Sequence, residues 1–244
     1  MKNLRNNTSH GCLVFRSLSL QGLEDADPDD GYEAEAKLFE ITMLALSSSK
    51  LPVQMLDIFA DSCSHLTPSL CALVCCKIMA TMNKVNLSSS FRGCKILSLR
   101  MSHCSWDIDE EFRSPLSLDQ AREHTIFICD SVNMFPVLEE FYLAWEYQDL
   151  ALSDALDAEE HFFDRIADSC ESPFLKKCTL QNIRTSETAM LLFLHKVQLT
   201  SLSMKKVFLN NGQFGSIFCY LSTSMPNLDY LYLCQLYQEP GTVY

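Results

Sequence analysis

The residues of this chain that could do chemistry are its acids, cysteines and histidines, and the first candidate is an acidic run over residues 24–35. Its aspartates alternate as they do in a calcium-binding loop. However, Asp30 stands where that loop needs a glycine, and its twelfth position is Ala36, where the loop needs glutamate. We therefore interpret residues 24–35 as an acidic loop whose negative charges precede a helix, and not as a calcium site.

The sequence also contains no complete motif for metal binding or for a catalytic nucleophile. Cys71 and Cys75 are spaced as on one face of a helix, there is no Cys-x-x-Cys pair, and His103-Cys104 has no second pair of ligands in sequence. Gly-x-Ser-x-Gly is absent, and no glycine-rich loop is followed by Lys-Ser or Lys-Thr. We expect no metal, no cofactor and no enzymatic activity. The remaining alternative of this kind is an α/β enzyme without a recognisable motif.

Charge and cysteine content bear on the partner and the compartment. The formal net charge is −12, so nucleic acid and anionic membrane surfaces are repelled on average, and a basic or neutral protein is the better partner. No apolar signal segment follows Met1, and no run approaches the roughly 18 apolar residues of a membrane span. Most of the 12 cysteines stand at apolar positions. We expect unpaired thiols and a cytoplasmic or nuclear protein.

Seven short segments place apolar residues at positions i, i+3 and i+5. This spacing is the strand signature of a leucine-rich repeat, in which each repeat adds one short strand to a parallel sheet. The segments are Phe15-Leu18-Leu20, Val53-Leu56-Ile58, Cys94-Leu97-Leu99, Leu138-Phe141-Leu143, Leu175-Cys178-Leu180, Leu199-Leu202-Met204 and Leu228-Leu231-Leu233.

Stretches with helical periodicity lie between these segments. Examples are the apolar positions from Tyr32 to Leu46 and from Phe214 to Met225, a run over 70–82, and a helix start at Thr185-Ser186-Glu187. We predict an α/β fold: one leucine-rich-repeat-like solenoid over 1–244, with short parallel strands on the concave face and helices on the convex face. Its repeats are wide and irregular over 10–134 and more regular over 135–236. The alternative is a doubly wound α/β domain, but the strands are short and alternate apolar with polar residues.

The repeats resemble those of fungal F-box/leucine-rich-repeat-like proteins. The resemblance lies in the runs Phe135-Pro-Val-Leu-Glu-Glu-Phe-Tyr-Leu, Leu199-Thr-Ser-Leu-Ser-Met and Met225-Pro-Asn-Leu-Asp-Tyr-Leu-Tyr-Leu. It implies a repeat domain that holds the substrate of a ubiquitin ligase of the Skp/cullin type, and a Skp-type adaptor as a partner. The alternative is a non-catalytic scaffold, or a degenerate or truncated repeat protein, without ligase coupling.

The F-box itself departs from the family pattern. No such module precedes the first repeat, and the internal segment that begins Leu51-Pro52 has Gln54 in place of an acid and no tryptophan after Cys76. At the other end, the chain stops soon after the last predicted strand without a capping helix. This predicts a truncated product or a partner that covers an open repeat end.

The candidate protein-binding residues are those that flank the inward leucines and point out from the concave side of the sheet. We expect the tyrosines to be the anchors, because aromatic residues are enriched among interface hot spots. Exposed tyrosine on a strand is also explained by β-propensity alone. The predicted residues are Asp57, Arg100, Glu140, Tyr142, Lys177, Thr179, Gln181, Ser203, Lys205, Tyr230 and Tyr232.

Overall fold

The structure is a computed structural model, and it describes residues 12–15, 28–58, 70–71, 78–79, 82, 84–102, 129, 132–146 and 162–238. The described strands form a single sheet in which every pairing is parallel. They are β1 (Cys12–Phe15), β2 (Met55–Ile58), β3 (Leu70–Cys71), β4 (Ile96–Ser102), β5 (Glu140–Glu146), β6 (Lys177–Gln181), β7 (Arg184–Ser186), β8 (Ser201–Asn211) and β9 (Tyr230–Gln238).

The main strands follow one another across the sheet in chain order, as β1, β2, β4, β5, β6, β8 and β9. The short strands β3 and β7 add to β4 and β8. A doubly wound sheet instead reverses its strand order partway across. The described strands show no such reversal, so this alternative is wrong for them. An α/β fold built on a parallel sheet is confirmed.

The register of the sheet is the one that the apolar spacing predicts for six of the seven segments. Their i+3 residues are direct partners on neighbouring strands, and so are their i+5 residues. The first row is Leu56, Leu97, Phe141, Cys178, Leu202 and Leu231, and the second is Ile58, Leu99, Leu143, Leu180, Met204 and Leu233. Because side chains alternate along a strand, all of these residues face the same side of the sheet.

The described helices connect these strands and pack on that side. They are α1 (Pro28–Ser49), α2 (Lys84–Phe91), α3 (Phe162–Ser169), α4 (Glu187–Lys196) and α5 (Phe214–Ser224). Their apolar faces join the inward residues of the strands in one hydrophobic core. Neighbouring helices also touch, as where the rings of Phe163 and Phe193 meet with centroids 5.3 Å apart. The helices and the strands that they cover thus share one core.

Three details differ from the sequence expectations. The first strand lies at Cys12–Phe15, and its residues Leu13 and Phe15 are the strand partners of Leu56 and Ile58. The sequence had predicted Leu18 and Leu20 for these positions, and these two residues lie outside the described ones. The acidic loop is wrong for residues 28–35, because α1 begins at Pro28, a residue well suited to a first helical position. The helix predicted over 70–82 is interrupted at its start by β3, which instead extends the hydrogen bonding of β4.

A residue with a left-handed φ angle recurs at matching positions of three strands, directly after β6 and within β8 and β9. Asn182, Lys206 and Gln235 have φ angles of 59°, 53° and 55°. They follow Gln181, Lys205 and Cys234, which are partners across the sheet, so the three bends lie side by side. Asn182 anchors this row, since its backbone N–H donates to the Lys205 carbonyl at 2.8 Å and its side-chain amide to the Trp145 carbonyl at 2.7 Å.

Candidate binding face

The side of the sheet opposite the core presents a row of polar and aromatic side chains in strict register. Tyr142, Thr179, Ser203 and Tyr232 are direct partners across β5, β6, β8 and β9. The residue before each of them in sequence points to the core side. Phe141, Cys178 and Leu202 are buried there, whereas Leu231 on β9 is exposed. We call the solvent-accessible surface of β5 to β9 on this side the open face. Its residues are Glu140, Tyr142, Lys177, Thr179, Gln181, Ser201, Ser203, Lys205, Tyr230 and Tyr232.

Accessibility of this side changes along the sheet. Asp57 and Arg100 occupy the predicted rows on β2 and β4, but only 3% and 8% of their surface is exposed. Ser98 beside them and Ala144 on β5 are also buried. The expectation that Asp57 and Arg100 are accessible for binding is therefore wrong. Asp57 and Arg100 are of opposite charge and stand diagonally across β2 and β4. This placement agrees with the rule that buried charged groups lie near a group of opposite charge.

Toward β9 the same side of the sheet opens to solvent. Tyr142, Thr179 and Ser203 are partly exposed, and Tyr232 and Tyr230 are exposed over 43% and 56% of their surface. Aromatic surface of this kind offers a large apolar area together with a hydroxyl that can donate or accept a hydrogen bond. The accessible tyrosines thus lie at both ends of the open face, with hydroxyl side chains between them.

Two contacts hold side chains of the open face in place. The Tyr142 hydroxyl donates to Oε1 of Gln181 on the next strand at 3.4 Å. The Lys177 ammonium lies 2.7 Å from Glu140, its direct partner on β5, and this carboxylate raises the pKa of Lys177. These cross-strand pairs fix side-chain positions on a surface whose core-side residues are already close-packed.

A second ion-pair group lies at the turns that lead into the strands. Glu139 bridges Lys95, at 2.6 Å, and Lys176, at 2.9 Å. Hydrogen bonds from Lys95 and Lys176 lower the pKa of Glu139 from 4.5 to about 2. Lys95 and Lys176 also border a shallow groove beside Phe174. Sequence analysis missed this bridge, although its signal was present: each of the three residues directly follows the first apolar residue of its repeat.

The described residues include no cluster that could hold a metal ion, and several of their cysteines are buried. Among them, no group of three or more histidines, cysteines or acids is placed to hold a metal ion. Cys170 and Cys178 are buried, and burial raises the pKa of both thiols. Thiols in apolar surroundings are poor nucleophiles. These cysteines therefore serve as small core residues.

Within the described ranges, no helix is long and apolar enough to cross a membrane. Comparison with known proteins gives no relative: no protein family matches the sequence, and no curated protein and no solved structure shows significant similarity to it. The site must therefore be interpreted from its own geometry.

Proposed function

We propose that this chain is a protein-binding module, a leucine-rich-repeat-like solenoid whose open face holds another polypeptide. The observation that carries the proposal is the row Tyr142, Thr179, Ser203 and Tyr232, which runs in register across four parallel strands on the side that faces away from the core. A face of a β-sheet is normally either covered by helices or exposed to solvent and polar. Here the face bears tyrosines, which are enriched among the residues that dominate the binding energy of interfaces.

The solenoid arrangement is supported by the in-register rows of apolar residues and by the chain-order sequence of the strands. Repeat proteins of this type bury one continuous core through neighbour-to-neighbour contacts and use their long surfaces for binding. The early strands are separated by more residues along the chain than the later ones, which corresponds to solenoid coils of unequal size. The accessible binding surface lies in the more regular half.

The charge of the open face narrows the chemistry of the partner. Glu140 and Lys177 neutralise each other, and Lys205 adds one positive charge, although the whole chain carries −12. The face is therefore neutral to weakly basic within a strongly acidic protein. A neutral or weakly acidic polypeptide surface is therefore the best match. The net charge of the whole chain had led us to expect a basic or neutral partner.

The proposal can be tested with a photo-crosslinking residue placed at single positions in the native cell. A benzophenone side chain at Thr179 or Ser203 is expected to give a discrete covalent adduct with a protein, and the adduct should be lost when Tyr142→Ala is added. The matched control is Ser222, an exposed position on α5, behind the sheet. Equal labelling from position 222, or labelling that Tyr142→Ala leaves unchanged, would contradict binding at the open face.

Coupling to a ubiquitin ligase rests on the resemblance alone, and we propose that the module acts without it. An F-box contacts its adaptor through a small helical module, whereas the segment that begins like one, at Leu51-Pro52, continues into strand β2 at Met55–Ile58. We expect purified Skp-type adaptor not to be retained by the immobilised chain. Stoichiometric retention of the adaptor would establish the ligase arm in place of the uncoupled module.

A further inference from the structure

The shallow groove beside Phe174 runs across the turns that precede β4, β5 and β6, and its volume is about 350 Å³. Each turn contributes the residue before and the residue after a buried apolar residue. These buried residues are Cys94, Leu138 and Leu175. The three turns lie within the described ranges 84–102, 132–146 and 162–238. The groove therefore belongs to the middle of the sheet, away from both ends of the chain.

The residues that precede the buried row leave space at one end of the groove and aromatic surface at the other. Gly93, Val137 and Phe174 hold the same position in the three turns. A Cβ atom at Gly93 would meet no atom within 4 Å, so the missing side chain leaves open space there. Phe174 is exposed over 56% of its surface. A ligand in the groove thus finds room beside one turn and an apolar ring beside another.

The lining of the groove is positively charged. It holds three cations, Arg92, Lys95 and Lys176, and one carboxylate, Glu139, hence a charge of +2 in a chain whose net charge is −12. The side chains of Lys95 and Lys176 remain 58% and 56% exposed although both contact Glu139. Because an ammonium group has three N–H donors, each lysine can also bind a second carboxylate. A ligand with negative charge is therefore attracted here and repelled on average by the rest of the surface.

The backbone holds this charged row in place. The Glu139 N–H donates to the Lys95 carbonyl and the Lys176 N–H to the Glu139 carbonyl, each at 2.8 Å. Neighbouring strands lie about 4.8 Å apart, so the turns of Lys95 and Lys176 are about 10 Å apart, which an extended peptide spans with about three residues. Binding a short extended segment then requires little ordering of the groove, and this lowers the cost of association.

We propose that this groove binds an acidic segment of a partner polypeptide. Carboxylates of the segment pair with Arg92, Lys95 and Lys176, and an apolar side chain next to them packs on Phe174. A simple anion would engage the cations and leave the phenylalanine ring without a role, whereas a peptide uses both. None of the lining residues belongs to the open face, so the inference is independent of the proposed function, and each can fail while the other stands.

An NMR titration of the isotope-labelled chain of residues 1–244 tests the groove. The probe is a short synthetic peptide in which glutamates flank one phenylalanine. The amide signals of Gly93 and Phe174 should shift and saturate at low salt, and the same peptide with glutamines in place of the glutamates should shift them far less. Raising the salt from about 0.01 M to about 0.15 M shortens the screening length from about 30 Å to about 8 Å and should weaken the binding severalfold.

Two substitutions with matched controls locate the site. Gly93→Trp fills the open space and should weaken peptide binding by at least about tenfold, because the side chain clashes with the bound segment. Its control is Gly215→Trp on α5, where a Cβ atom also meets no atom within 4 Å. Arg92→Glu should weaken binding by at least about threefold, since it replaces an exposed attraction with a repulsion. Lys206→Glu on β8 makes the same change of charge outside the groove and should have far less effect.

Absence of saturable shifts, equal binding of the glutamine peptide, or an equal loss in each substitution and its control would overturn the proposal. A single-stranded oligonucleotide that binds the groove as tightly as the peptide would also overturn it, because the groove would then be a general anion site. Should Gly93→Trp fail to fold, the comparison of Arg92→Glu with Lys206→Glu keeps the test decisive, since Arg92 is exposed.

Discussion

The Glu139 carboxylate, at the turn before β5, lies 2.9 Å from the Lys176 ammonium at the turn before β6. The same pair of turns is joined by the backbone, because the Lys176 N–H donates to the Glu139 carbonyl at 2.8 Å. Side chain and main chain therefore tie the same two turns together at the point where β5 and β6 begin. With Lys95 at the turn before β4, Glu139 joins the starts of three neighbouring strands.

The Glu139 bridge predicts a defined acid response. Since its pKa is lowered to about 2 in the folded chain, the bridge stabilises the fold above the unfolded pKa near 4.5 and loses this contribution as the pH falls toward 2. The carboxyl carbon of Glu139, followed by NMR, should titrate with a midpoint near 2, and the midpoint should rise in Lys176→Met. A midpoint near 4.5 in the unmodified chain, or no rise in the variant, would contradict the bridge.

Burial along one core row predicts a graded cost of truncation. Leu180 on β6 has no exposed surface, whereas Leu233 occupies the same repeat position on β9 and is 37% exposed. Leu180→Ala should lower the free energy of unfolding by about 2 to 5 kcal/mol. Leu233→Ala should cost much less, because little is lost from an incompletely covered side chain. Denaturant unfolding of both variants at low protein concentration measures the difference, and equal costs would refute the graded core.

The start of α4 is held by a small hydrogen-bond network. The N-cap Ser186 accepts from the Ala189 N–H at 3.1 Å, and Asp164 on α3 accepts from the Ser186 N–H at 3.2 Å and from the Thr185 hydroxyl at 2.9 Å. Ser186→Ala should destabilise the fold by about 1 kcal/mol through loss of the cap. Asp164→Ala should cost more, since it leaves the fully buried Thr185 hydroxyl with a poorer partner. Thermal unfolding that ranks the two variants in the reverse order would contradict this.

The row of left-handed bends predicts opposite effects of glycine at two adjacent lysines. Lys206 has a φ of 53°, a conformation that costs a side-chain-bearing residue about 1 kcal/mol and glycine nothing. Lys206→Gly should therefore be neutral or stabilising. Lys205→Gly, one residue earlier in the extended strand, should destabilise by about 0.5 to 1 kcal/mol. Urea unfolding compares the two, and a loss of stability at 206 as large as that at 205 would show that this bend is unstrained.

The repeat register was predictable because it depends on local spacing. Leu97, Phe141 and Leu202 hold the same i+3 position in their predicted segments, and the structure places them in one row across the sheet. The start of α4 was equally local, since Thr185-Ser186-Glu187 is a helix-start pattern and Ser186 is the N-cap. Around the first strand the sequence has two alternating apolar pairs five residues apart, and spacing could not choose between them.

The accessible part of the face was not predictable from the repeats. Asp57 and Arg100 occupy the expected rows, but their burial depends on what packs over β2 and β4, which no periodic pattern encodes. Similarly, the contact of Asp164 with Thr185 and Ser186 joins α3 to the start of α4 and has no spacing signature. Local apolar spacing predicted which residues occupy each row of the sheet. The exposure of those residues and the long-range polar contacts depend on tertiary packing.

Binding at the open face is tested most directly by measuring affinity for the purified partner that the photo-crosslink identifies. Tyr142→Ala removes an aromatic anchor from the face and should weaken binding by about 2 kcal/mol, or roughly 30-fold. Tyr220→Ala, the same change at a partly buried residue on α5 that packs against His195 at 4.3 Å, should leave the affinity unchanged. Calorimetry that finds Tyr142→Ala as tight as the unmodified chain would contradict a partner on the open face.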